Sequence, residues 1–215
     1  MIPDLSETTQ AFFRISYGVL LLGTLLLALP QARRFFLSER WRGYAQSSPA
    51  VDVIQNPLVL PLVLAVWIAS SLAIIFDRWT VTACLINLLF SWYFFIWMRW
   101  RGILRGMGAP GFITYWLAAA VFLLEYTSRY APHLHSFALL VLQLDLAFII
   151  FSSGIYKLKA GFAQNEGMEF GLVNPEWGYW WSFYKKLPAN HWIFKVYNQL
   201  AWSSQLASAF LMLFP

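Results

Sequence analysis

The chain predicts an all-α, polytopic transmembrane helix bundle of about six spans with interfacial amphipathic helices, and three observations carry that reading. Of its 215 residues 60% are hydrophobic and 12% charged, with a mean hydropathy of +0.57, too apolar for a soluble domain of this length. A hydrocarbon core of ~30 Å takes about 20 helical residues, and windows of that length fall at 11–29, 57–76, 80–98, 112–130, 136–156 and 192–214. Runs such as Val19 to Leu29 do not alternate, as the strands of a barrel would.

The first span is preceded by Asp4 and Glu7 with no lysine, and a small-residue cleavage pattern is poor, so it reads as a retained helix rather than a secretory signal. After it, residues 31–45 mix arginines with Phe35, Phe36, Trp41 and Tyr44, the composition of an interfacial helix with its rings in lipid. The third span holds Cys84, the single cysteine of the chain, which excludes an intrachain disulfide and a thiolate metal cluster and reads as a small buried thiol. A second interfacial segment covers 174–187: Asn174 can cap, Pro175 suits the first helical position, and Trp177, Trp180, Trp181 and Tyr184 are expected as anchors at headgroup level or, alternatively, as a ring-stacking ligand site. No repeat or low-complexity tract interrupts the chain, so residues 1–215 read as one transmembrane domain.

Of the fifteen Lys and Arg residues, twelve fall in the connections after spans one, three and five. Arg14, Arg78 and Arg129 fall on the other side. The positive-inside rule then places both termini outside, in what reads as a bacterial inner membrane. The net charge of +5 is a topology signal here: the arginines sit among tryptophans at membrane edges rather than in a hydrophilic stripe, which excludes nucleic acid as a partner.

Few side chains can carry chemistry. Asp145 is the most costly, lying inside the fifth span between Leu144 and Leu146, where a carboxyl must be paired, hydrated or protonated. At the helical rise it lies ~13 Å from the outer face, Asn87 ~10 Å and Glu125 ~7 Å, and Arg14 and Gln205 also fall in the outer half. These five form an expected intramembrane polar cluster, either a hydrogen-bonded network joining helices or a proton-handling cavity. Lys157 stands where the fifth helix leaves the membrane and reads as a snorkelling cation or as a desolvated base, with Gly154 one turn earlier permitting close approach. His133 and His135 lie at one edge and His191 at the other, which excludes a bis-histidine clamp and leaves single ligation of a chlorophyll-type pigment beside the reading as solvated interface groups. No Walker loop, dinucleotide fingerprint, nucleophile elbow or zinc motif is present, and no metal site is expected.

The stretch from Gln143 to Leu158, ending Gly154-Ile-Tyr-Lys157-Leu158, resembles the signature helix of the vitamin K-dependent gamma-carboxylase-like, or horizontally transferred transmembrane (HTTM), family. The resemblance covers roughly residues 137–170 and implies that Lys157 is a catalytic base toward a quinol or similar lipid-soluble substrate. His135-Ser136-Phe137 is similar to the family's His-Ser-Tyr element, though it opens the same helix as Lys157. Phe162 stands where the family has Trp, and the glycine that follows it is displaced to Gly167. The family lysine is luminal, whereas the charge count puts Lys157 inside. The chain ends at Pro215 without the large extramembrane domain that a peptide substrate requires, so peptide carboxylation is not expected. Two functions follow as expectations: a non-catalytic subunit or scaffold packed against protein, lipid or pigment in a larger membrane complex, or a membrane enzyme that binds a quinone-like ligand at Lys157.

Overall fold

The computed structural model describes residues 5–42, 52–97, 108–167, 186–188 and 190–213. No strand runs through them. The helices are α1 (Glu7–Ala28), a short α2 (Ala32–Phe36), α3 (Leu60–Ile75), α4 (Thr80–Ser91), α5 (Gly108–Tyr130), α6 (His135–Lys159) and α7 (Trp192–Leu213). Each of the six expected spans coincides with one of the longer helices. The anchors Trp177, Trp180, Trp181 and Tyr184 lie outside the described residues.

Local chemistry accounts for the ends. Ser6 caps α1 by accepting the Thr9 amide at 3.2 Å, with Glu7 in the positive first turn. Pro61 stands in the first turn of α3, where a missing N–H costs nothing. A four-residue turn joins α3 to α4, and within it Asp77 and Trp79 take left-handed φ values of 54° and 45°. Such conformations are uncommon for residues with a Cβ and persist only where the surroundings hold them. Pro132 pushes Ala131 out of helical geometry and so separates α5 from α6.

The chain forms two compact units, 1–139 and 140–215. Their border falls inside α6, so no linker marks it in the sequence. In the first unit α1, α3, α4 and α5 pack together. Gly18 faces α3 so closely that an added Cβ would lie 2.7 Å from Ile75 Cγ1 and 3.3 Å from the Ser71 carbonyl oxygen. The core beyond it is aromatic: Trp67 stacks on Phe94 with ring centroids 5.2 Å apart, and Phe36 meets Phe94 edge-on at 5.3 Å. Pairs of this kind contribute about 0.5–1.5 kcal/mol each beyond simple contact. The π-helical turn Trp92–Trp97 that continues α4 presents Phe94 and Phe95 to this core.

Phe36 corrects the expectation of one interfacial helix over 31–45. Its ring is fully buried, as are Leu37 and Ser38, and the segment breaks into α2 and a 3-10 turn at Glu39–Trp41. Aromatic packing inside the unit outcompetes lipid contact for that ring.

Among the described residues, three helical stretches are long and apolar enough to cross a membrane: Glu7–Phe36, Thr80–Trp97 and Pro132–Lys159. The helix Leu60–Ile75 is apolar but shorter.

Candidate functional site

Gln10 and Arg14, one turn apart on α1, face the last two turns of α5 and the α3–α4 turn. Arg14 brings Nε to 3.5 Å from Glu125 Oε1 and Nη1 to 3.5 Å from Asp77 Oδ1, while Nη1 donates to the Ile74 carbonyl in the last turn of α3. Gln10 Nε2 donates to Glu125 Oε1 at 3.1 Å and is 3.0 Å from Ser128 Oγ. On the other side of the carboxylate, Arg129 Nε and Nη2 reach Glu125 Oε2 at 3.2 and 3.0 Å, and Nη2 also donates to Asp77 Oδ1. Thr80 Oγ1 donates to that same Asp77 oxygen.

Two guanidinium groups and two carboxylates therefore form one network with no formal net charge. Arg14 and Glu125 are buried, at 7% and 3% exposure, and Asp77 and Arg129 face outward. The hydrogen bond from Thr80 holds the Asp77 carboxyl below its ordinary range, helped by Arg129 and Arg14 against partial desolvation. Burial removes water that would otherwise solvate the ions, so each must be matched within the protein. The left-handed turn is what aims Asp77 back at both arginines.

Asn87 belongs to a separate clamp between α3 and α4. Its amide donates to Ser70 Oγ and to the Ala83 carbonyl, both at 2.9 Å, and its oxygen accepts from Ser71 at 3.3 Å. Its hydrogen bonds are local to the hairpin. Cys84 is a buried free thiol, as expected.

In the second unit, Lys157 Nζ donates to Gln205 Oε1 at 2.8 Å and lies 6.0 Å from the Phe162 ring centroid. Gly154 lets α7 approach α6: an added Cβ would lie 2.8 Å from Leu206 Cδ2 and 3.4 Å from Gln205 Cβ. Gly167 packs directly against the Phe162 ring. The Phe and Gly that depart from the HTTM pattern are thus in contact with each other. Gln199 ties the turn Phe162–Gln164 to α7 by donating to the Ala163 carbonyl at 3.1 Å and to Asn165 Oδ1 at 3.0 Å. A cavity of 250 Å³ nearby is lined by Leu144, Ala147, Phe148, Phe151, Ala209 and Phe210, with no ionisable group among them.

Of the five expected cluster members, only Arg14 and Glu125 meet through their side chains in the first unit. Gln205 pairs with Lys157 instead of sharing a depth with Asp145, which lies nine residues from Gly154, ~13 Å along α6. The antiparallel register of α6 and α7, set at Gly154, is the reason. Asp145 is exposed, on the side of α6 that carries Val141 and Phe148.

The histidines have structural settings. His135 Nδ1 is 2.9 Å from Thr127 Oγ1 across the α5–α6 junction, His191 Nδ1 accepts the Ile193 amide at 3.3 Å at the start of α7, and His133 is exposed. Among the described residues no group of three His, Cys, Asp or Glu is placed to hold a metal. Sequence reasoning missed Asp77 and Gln10 as site members; the i, i+4 pair Glu125–Arg129 and the spacing Gln10–Arg14 were legible signals. No family model, no curated protein and no solved structure matches the chain.

Proposed function

We propose that the protein is an integral membrane helical subunit, with about six spans and HTTM-like ancestry, that scaffolds a larger membrane complex rather than carrying out a reaction alone. The observation that carries this reading is the coverage of α6. Pro132–Lys159 is the most apolar of the three stretches able to cross a membrane, yet only 11% of its apolar window is buried, against 44% for Thr80–Trp97. Phe137, Val141, Leu144 and Phe148 recur every three or four residues and are all exposed, which makes one largely apolar face with the carboxylate of Asp145 on it. The polar groups point the same way. Glu125 is engaged by Arg14, Arg129 and Gln10, and Lys157 donates to Gln205, so both serve contacts within the chain.

Placing a photo-crosslinking amino acid at Phe148 and purifying from native membranes tests the reading. A discrete protein adduct of constant mass is expected. Crosslinks to phospholipid alone, from a chain that purifies without other subunits, would sink it.

A second reading is favoured by the apolar cavity between α6 and α7, on the same helix as Lys157: a membrane enzyme binding a quinone-like molecule, its tail in the cavity and its head toward the lysine. Lipid extraction of the purified protein distinguishes it. Stoichiometric quinone lost on Lys157→Ala, with α6 crosslinks unchanged, would favour this second reading over the first.

A further inference from the structure

The opposite end of the first unit from the Arg14–Glu125 network holds a second feature that the scaffold reading does not use. The elbow between α1 and α2 and the first turns of α3 enclose a groove of 600 Å³. Its walls are apolar: Leu29 and Leu37 come from the elbow side, and Leu60, Leu64 and Ile68 from α3. Pro30, Pro57 and Pro61 stiffen the rim, since each fixes its own φ and none presents an N–H to the groove. One charged side chain lines it, Arg33, which is exposed and has no carboxylate partner among the described residues. The neighbouring surface carries Arg34, Arg40 and Arg42; Arg40 pairs with Asp52 at 2.7 Å, and Arg34 too is engaged within the chain.

A pocket of this size falls within the ~300–1,000 Å³ typical of small-molecule sites. An apolar interior with a single cation at its mouth, at the end of a helix apolar enough to cross a membrane, matches one kind of molecule: an amphiphile with an anionic head. Basic groups at a membrane edge attract anionic lipid by about 1 kcal/mol each, and acyl chains supply the apolar filling. We propose that this groove is a binding site for one anionic phospholipid, with an acyl chain along Leu60, Leu64 and Ile68 and the phosphate at Arg33.

Native mass spectrometry of the full chain tests this after equilibration in micelles with equal amounts of phosphatidylglycerol and phosphatidylcholine. One phosphatidylglycerol is expected to stay bound in preference to phosphatidylcholine. Arg33→Ala should lower its retention about fivefold, toward the phosphatidylcholine level. Ala65→Trp, which fills the groove from an exposed position, should remove both lipids. Both substitutions lie at the surface, and unchanged helicity by circular dichroism confirms that the variants fold. Equal retention of the two lipids, an Arg33→Ala variant that binds as before, or an Ala65→Trp variant that keeps its lipid each overturns the proposal. So does displacement of the lipid by inorganic phosphate, which would assign Arg33 to a free anion, or a lipid-free dimer, which would assign the groove to a second copy.

Discussion

Glu125 is the residue on which the first unit's charges turn. It is buried, accepts from Arg129 and Gln10 and forms an ion pair with Arg14, so replacing it with Ala leaves the buried Arg14 only its looser pairing with the outward-facing Asp77. Breaking a buried pair from one side costs about 3–5 kcal/mol, whereas removing both partners together costs much less. Thermal unfolding in detergent should therefore show a large drop in Tm for Glu125→Ala and a smaller one for Arg14→Met combined with Glu125→Leu. Equal drops would mean that the pair is not coupled. Asp77 makes a separate prediction about pH. Its carboxyl is held below the ordinary 3.8, first by Thr80 and then by the arginines, so its contribution is fully present above that value and is lost as pH falls through the lower folded-state value. Stability should stay flat in this respect between pH 7 and 5 and decline below about 4, with Asp77→Asn flattening the decline. An unaltered acid limb in that variant would show that the turn carboxylate is not responsible.

At the scale of helices, two glycines set how closely neighbours approach. Gly18 meets the Ser71 carbonyl and Ile75, and the carbonyl cannot swing aside. Gly18→Val should push α1 from α3, cost about 1–3 kcal/mol, and loosen the Arg14 contacts one turn away. Gly154 meets the flexible end of Leu206, so Gly154→Ala should be milder than Gly18→Ala when their Tm values are compared. The reverse order would mean that the α6–α7 register is the more rigid one. The α3–α4 hairpin adds a polar lock, since Asn87, Ser70 and Ser71 satisfy one another where lipid would not.

For the molecule as a whole, the uncovered face of α6 predicts assembly. Replacing Phe148 with Ala should weaken co-purification of partner subunits while leaving the stability of the isolated chain within about 0.5 kcal/mol of the parent and its Tm nearly unchanged, because an exposed ring has little to lose within its own chain. A fall in Tm without loss of partners would place Phe148 in the protein's own packing instead. The functional readings diverge at the same scale: a scaffold tolerates Lys157→Ala if Gln205 keeps its place, whereas a quinone-binding enzyme does not.

The positions of six helices, the buried character of Cys84, and the pairing of Glu125 with Arg129 four residues later could all be read from sequence, because hydropathy and helical spacing are local properties of a chain. Depth arithmetic could not assign partners. It grouped Gln205 with Asp145, when the register set at Gly154 hands Gln205 to Lys157. The composition of residues 31–45 placed Phe36 toward lipid, when Trp67 and Phe94 from distant helices claim the ring. Asp77 was unreadable as a site member because a left-handed turn, not a helical face, aims its carboxylate. Sequence alone determined which segments become helices and where charge is scarce; only the tertiary structure decided which charges neutralise each other and which apolar face is left uncovered, since rotation and register are settled by contacts between residues far apart in the chain.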